Sequence, residues 1–329
     1  MRALNRKLFR DLRKIQGQVL AIGLVVASGV GVLIMALSVV NSLRVTADAY
    51  YDRYAFAEVF AGMKRAPERL AGQIGAIPGV QTVQTRIVKL ATLDIEGFDE
   101  PAIGQLVSIP EHREPLLNKL ALREGRFVEP GRPDEVVLSE PFAEAHNLTP
   151  GDNLRALMNG KKRKLTVVGI ALSPEHVYAI GPGALMPDEE RFGILWMGRE
   201  ALAAAYDLEG AFNDVSLSLL RGVAPEGVVQ QLDELIERFG GVGAVARKNQ
   251  LSNWFLMNEI RQMETIATIM PAIFLIVAAF LSNMVLARLI ATERTEIGLM
   301  KAFGYTDIEV MLHYAKLVIA MTSVGIVLG

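Results

Sequence analysis

Hydrophobic and charged positions fall into a few long blocks along this chain. Residues 15–43 and 265–287 contain no Asp, Glu, Lys or Arg, and each exceeds the roughly 20 residues a helix needs to cross a bilayer. A third uncharged block covers 317–329 and reads as the start of a third span in a truncated chain. The first block is longer than the apolar core of a cleavable signal peptide, about 7–15 residues, and no small-residue cleavage site follows it.

Residues 1–14 have the period of a basic amphipathic helix. Leu4, Leu8, Phe9, Leu12 and Ile15 fall on one side; Arg2, Arg6, Lys7, Arg10, Arg13 and Lys14 fall on the other. Such a helix suits the headgroup region of a lipid bilayer. Its excess of basic residues places the N-terminus in the cytoplasm. Residues 44–264 are then extracytoplasmic and long enough for a core of their own. In the first span (15–43), Gly23, Ala27 and Gly31 form a small-residue stripe for close helix packing. In the second (265–287), Asn283 is placed to bond across helices.

Within 44–264 two stretches look alike. A strand at 55–64 precedes a helix opened by Ala66-Pro67-Glu68, with Leu70, Ile74 and Ile77 on one face, and 80–93 is again strand-like. A strand at 213–220 precedes a helix opened by Pro225, with Val228, Leu232, Leu235, Ile236 and Phe239 on one face, and a strand follows at 242–247. Two βαβ units, within 55–98 and 190–248, are therefore expected to pack side by side. They flank a β-rich insert at 99–189. Its signals are a strand at 136–138, a helix at 140–146 capped by Ser139, and a hairpin of 153–158 and 164–170 turning through Asn159-Gly160. The expected fold class is an α-helical membrane protein with an inserted α+β extracytoplasmic domain.

Residues 288–316 separate the second span from the third block. Arg288, Glu293, Arg294, Glu296 and Lys301 cannot lie cheaply in hydrocarbon, so this is a cytoplasmic loop. It reads as a helix to about Phe303, a break at Gly304, and a new helix opened by the capping box Thr306-Asp307-Ile308-Glu309.

Composition narrows the function. Hydrophobic residues make up 51% of the chain, and the net charge of −2 does not suit nucleic acid. The absence of cysteine excludes disulfides and thiolate chemistry. The sequence has no phosphate-binding G-x-x-x-x-G-K-[ST], no G-x-S-x-G and no H-E-x-x-H, so no cofactor, catalytic residue or metal ligand is assigned. Glu111-His112 and Glu175-His176 repeat a Pro-Glu-His tripeptide, which by itself is weak evidence for a metal.

The order of basic helix, span, large outer domain, span and E-R-T-E-I-G-L-M-K-A-F-G resembles ABC transporter permeases of the MacB/FtsX/LolC type. Glu293, Arg294, Glu296, Ile297, Gly298, Lys301, Ala302 and Gly304 carry the resemblance. It implies that the βαβ pair is a porter-like part of a periplasmic domain, and that 136–152 with 165–170 belongs to the inserted part. It further implies a permease subunit that is not itself an enzyme, in the inner membrane of a bacterium. Its expected partners are a separate ABC ATPase subunit, a second permease copy or half, and a periplasmic protein. Glu293, Arg294, Glu296, Gly298, Lys301, Gly304, Thr306 and Glu309 become the expected ATPase-coupling residues. Export, lipid or lipoprotein release, and mechanotransmission are the tasks the resemblance implies. Two other readings compete. A two-span sensor with an outer ligand domain calls for a signalling segment after the second span, where a short charged loop stands instead. A tethered periplasmic enzyme calls for a catalytic constellation.

Overall fold

The computed structural model describes residues 2–98 and 100–328, with side chains from Arg6 onward in the first helix. Asp99, where the insert was expected to begin, and the side chains of Arg2 and Leu4 lie outside the described set. In chain order the elements are α1 (Arg2–Lys14), α2 (Gln16–Arg53), β1 (Val59–Pro67), α3 (Leu70–Gly75), β2 (Val80–Arg86), β3 (Val88–Asp94), β4 (Ala102–Ile109), β5 (Ala121–Gly125) and β6 (Glu135–Ser139). Then come α4 (Glu140–Ala145), β7 (Asn153–Met158), β8 (Lys161–Leu172), β9 (Phe192–Gly198), α5 (Arg199–Tyr206), β10 (Ala211–Leu219), α6 (Pro225–Ile236), β11 (Ala244–Ala246), α7 (Leu251–Thr292), α8 (Arg294–Ala302) and α9 (Asp307–Leu328). They divide into a helical unit, residues 1–45 with 259–329, and an α+β unit, residues 46–258.

In the helical unit, α2, α7 and α9 are long and apolar enough to cross a membrane. Hydrocarbon offers no partner for a polar group, so hydroxyls on these helices turn to their own backbone. Ser28, Thr265, Thr268 and Thr322 accordingly donate their hydroxyls to carbonyls four residues back, at 2.9–3.1 Å. Of the expected Gly23–Ala27–Gly31 stripe only Gly23 lies on the packed face of α2. Ile22, Gly23, Val26 and Gly29 are buried there, whereas Ala27 and Gly31 are half-buried. The reason is that α2 meets two neighbours. Gly23 faces α9, where a Cβ on Gly325 would lie 2.6 Å from the Gly23 carbonyl oxygen, and Gly29 lies against Phe274 of α7. Arg44 and Glu264 pair at 2.5 Å between α2 and α7.

In the α+β unit, a four-stranded sheet runs in the order β11-β1-β10-β2, each neighbour antiparallel. The two βαβ units are thus interleaved rather than side by side: β10 of the second separates β1 from β2 of the first. This split arrangement lets α3 and α6 share one face of the sheet. Leu70 and Ile74 join Val228, Leu232 and Ile236 in a single core over Val59, Ala61, Val215 and Leu217. Pro67 ends β1 instead of opening a helix, because Ala66 and Pro67 still pair with Phe212 and Ala211 of β10.

The second sheet has seven strands in the order β5-β8-β6-β9-β4-β3-β7. It takes in two segments expected outside the insert. The strand anticipated at 80–93 breaks at Ile87, so β2 stays in the first sheet while β3 crosses into the second. Likewise β9, anticipated in the flanking part, is buried at all its positions. Only the centre of a two-sided sheet covers both faces of such a strand, and β9 lies between β4 and β6. The sheet closes on itself through the long β8. Its first half pairs with β7 across the Asn159-Gly160 turn (φ 47° and 76°), and its second half pairs with β6 and β5. The Ser139 hydroxyl accepts the Ile194 amide of β9 at 3.2 Å and makes no cap to α4. The strands β4 and β5 and the helix α5 had no clear pattern in the sequence.

The two sheets are joined by a buried ion triad. Arg86, the last residue of β2, donates through Nε to Asp214 of β10 at 2.8 Å and through Nη2 to Glu175, just past β8, at 2.8 Å. Asn118 also donates to Glu175, at 2.8 Å. Burial opposes the Arg86 charge, but Asp214 and Glu175 outweigh it and raise its pKa. Replacing one member of a buried ion set strands the others in low dielectric, at a cost of about 3–5 kcal/mol. Arg86→Met should therefore lower the unfolding free energy of residues 46–258, produced as a soluble fragment, by about that amount in urea titrations. A change within error would show that the triad does not hold the sheets together.

Candidate functional site

The site is built where α1 meets the loop around α8. Leu8, Leu12 and Ile15 pack on the core formed by Val310, Tyr314 and Leu317 of α9. The helix is rotated from the orientation its apolar residues suggest. Lys7 and Asp11 turn inward, their side chains 10% and 4% exposed, while Phe9 points outward and is 75% exposed. The rotation follows from charge pairing. Lys7 Nζ donates to Glu293 at 2.9 Å and to Glu296 at 2.6 Å, and lies 3.2 Å from Asp11. Burial opposes the Lys7 charge, yet hydrogen bonds to Glu296, Glu293 and Asp11 prevail and raise its pKa; the same contact lowers that of Glu296. The cluster extends into α9: Tyr314 donates to Glu293 at 3.0 Å, and His313 Nε2 lies 3.3 Å from Asp11.

The loop itself has more breaks than expected. The helix leaving α7 does not run unbroken to Phe303. It kinks at Glu293 (φ −97°, ψ 18°), where the carboxylate turns in to Lys7. After α8, Tyr305 N–H donates to Met300 at 3.1 Å and Gly304 N–H to Lys301 at 3.0 Å, with Gly304 at φ +91°. This is a Schellman stop. The next helix begins with both halves of a capping box: the Glu309 amide donates to the Thr306 hydroxyl at 3.3 Å, and the Thr306 amide donates to the Glu309 carboxylate at 2.9 Å. Lys301 pairs with Asp307 at 2.5 Å across the turn. The path of the loop is thus set by backbone and side-chain bonds at each bend.

Of the sequence-nominated loop residues, Arg294, Glu296, Gly298, Lys301, Gly304, Thr306 and Glu309 are exposed, whereas Glu293 is 3% exposed and held inside. Glu293 therefore has no free surface to offer another protein; it organises the loop from within. Sequence reasoning passed over three exposed apolar side chains beside them: Leu299, Phe303 and Ile308, 60%, 78% and 65% exposed. The signal was available, since Leu299 and Phe303 stand four apart on a charged helix. Behind them a groove of about 380 Å³ is lined by Ile290, Ile297, Val310 and Met311, with Lys301 and Asp307 among its walls.

Asn283 is exposed and lines a separate apolar groove of about 680 Å³ between α2, α7 and α9. The neighbouring Ser282 hydroxyl, rather than Asn283, is the buried polar atom there, and it has no partner among the described residues. The two Pro-Glu-His tripeptides serve different ends. Glu175 belongs to the ion triad, and the half-buried His176 ring lies 6.4 Å from that of Trp196, its pKa lowered by desolvation. Glu111 and His112 gather with Glu200, ligand atoms within 4.8 Å of one another, but Glu111 already accepts the Glu200 amide at 3.0 Å.

Two family descriptions match the sequence: a MacB-like periplasmic core domain over residues 21–235, and an FtsX-like permease C-terminal region over residues 268–329. No curated protein matches the chain. Among solved structures, the periplasmic region of MacB from Actinobacillus actinomycetemcomitans is similar at 12% identity and TM-score 0.38, covering 64% of this chain and 95% of that one. The extracellular domain of the noncanonic ABC-type transporter YknZ from Gram-positive bacteria is similar at 14% identity and TM-score 0.37, covering 58% and 98%.

The inward rotation of α1 has a measurable consequence. Lys7→Met leaves Glu293 buried without its cation and should destabilise the detergent-solubilised chain by about 3–5 kcal/mol. Adding Glu293→Gln removes the stranded charge, so the double variant should melt above Lys7→Met. Equal melting of the single and double variants would show that the pair is not coupled.

Proposed function

The chain belongs to the MacB/FtsX-type ABC permeases, and from that premise we propose that it is a non-catalytic membrane subunit that couples ATP hydrolysis on a separate ATPase chain to movement of its extracytoplasmic domain. The observation that carries this reading is the loop around α8. A helix stopped by a Schellman turn and restarted by a capping box holds Leu299, Phe303 and Ile308 out to solvent in a defined geometry. Interface energy concentrates in well-placed apolar anchors ringed by polar groups, and Arg294, Glu296, Lys301 and Glu309 supply the ring. In this reading those residues, with Gly298, Gly304 and Thr306, form the coupling surface, and Glu293 positions it from inside. Gly23 and Gly29 set the packing of the spans that transmit the movement.

The reading places the chain in the bacterial inner membrane with its N-terminus and the α8 loop in the cytoplasm. A second permease copy or half is its partner in the bilayer. Movement of the outer domain then serves export, release of a lipid or lipoprotein, or transmission of force to a periplasmic protein. The stretch 44–264 acts as the extracytoplasmic domain, with 265–287 returning the chain to the cytoplasm.

Topology and coupling are separately testable. Because the chain has no cysteine, Lys162→Cys and Ala302→Cys, both at exposed positions, each give a single label site. In intact cells an impermeant maleimide should reach the first and not the second. Equal labelling of both would refute the topology.

A side chain on Gly304 would meet no neighbour within 4 Å of its Cβ, so substitution there strains only the backbone. A side chain held at its φ of +91° costs about 1–2 kcal/mol, more when β-branched. Gly304→Val should reduce substrate-stimulated ATP hydrolysis in the reconstituted complex several-fold while the outer domain stays folded. Full stimulation in this variant would leave the loop as a mere connector and favour the sensor reading.

A further inference from the structure

Helix α1 has two unlike faces. Its inward face carries Lys7, Leu8, Asp11 and Leu12, so its one acidic residue is turned away from solvent and paired there. At about 100° per residue, Phe9, Arg13, Arg6, Arg10 and Lys14 follow one another around the opposite side. All five are exposed, and none of the four cations has a carboxylate within ion-pair distance among the described residues. Phe9, 75% exposed, stands at the edge of this positive field. The spanning helix α2 begins directly after, at Gln16.

Four unpaired cations beside one exposed aromatic ring, at the foot of a spanning helix, complement an anionic bilayer surface. The cations meet lipid phosphates while the ring enters the boundary between headgroups and chains. We propose that this face of α1 docks on anionic phospholipid headgroups and that, through Lys7, lipid charge is passed to the α8 loop. The link is direct: Lys7 sits on the opposite side of the same helix, 2.9 Å from Glu293 and 2.6 Å from Glu296. A helix drawn to the lipid surface carries these two contacts with it. The inference rests on the reading of the chain as a membrane permease and adds a lipid class and a route of regulation to it.

The test uses the full chain in lipid nanodiscs of phosphatidylcholine alone or mixed with phosphatidylglycerol. An environment-sensitive nitrobenzoxadiazole label on Phe9→Cys should shift to the blue in the anionic discs. A nitroxide lipid at headgroup depth should quench it several-fold more there. Each cation at an anionic surface is worth about fivefold in binding, so the variant with Arg6, Arg10, Arg13 and Lys14 all changed to Gln should lose the response. A label on Leu299→Cys should respond to lipid charge in the parent chain and cease to do so with Lys7→Met. Identical signals in the two lipids, or an undiminished response in the neutralised variant, would overturn the proposal. So would a response that appears only when an ATPase subunit is added, regardless of lipid, since the face would then be a protein-docking surface. Retention of the chain in the discs reports on membrane insertion separately, so failure of the lipid proposal is distinguishable from failure of the membrane reading.

Discussion

Glu293 sits in the interior of the helical unit, and a buried carboxylate is tolerated only when a cation and hydrogen-bond donors surround it. Lys7 and Tyr314 meet that condition at 2.9 and 3.0 Å. Several features follow from this one contact. It rotates α1 so that Phe9 faces solvent, it kinks the chain between α7 and α8, and it brings the N-terminal helix onto α9. The exposed face of α8 and the exposed face of α1 are thus set by the same internal pairing.

The α+β unit obeys the same constraint with different residues. Arg86 and Asp214 come from neighbouring strands of the first sheet and Glu175 from the turn that follows β8 of the second, and the buried Arg86 and Glu175 are tolerated because each has the other as partner. Such a triad is weak evidence for stability as such, because desolvation offsets most of its attraction. Its value is positional: it accepts one register of β2 against β10 and one placement of the turn after β8. The interleaving of the two βαβ units then leaves a single apolar face for α3 and α6 to cover, and the closed second sheet hides the edges that β7 and β8 would otherwise expose.

Much of the loop was legible because its signals are local. The Thr306–Glu309 box and the Gly304 break each lie within a few residues, and short-range hydrogen bonding decides them. The kink at Glu293 was not legible, since it depends on Lys7, hundreds of positions away in the sequence. The small-residue stripe in α2 is pressed only in part for a related reason: Gly23 packs closely on α9, while Ala27 and Gly31 stay half-buried. Gly23, Ala27 and Gly31 satisfy a spacing rule, but which small residues are pressed depends on where α7 and α9 lie.

The amino-acid sequence by itself determined the spanning helices, the outer α+β class, the hairpin at Asn159-Gly160 and the family, because hydrophobic runs, periodicity and turn chemistry are properties of neighbouring residues. Only the tertiary structure decided which strands share a sheet, which way α1 faces, and that Glu293 lies inside while Leu299, Phe303 and Ile308 lie outside. Those outcomes are pairings between distant segments. Strand partners and buried charges are chosen by what else must be satisfied in the same place, and no local pattern records that.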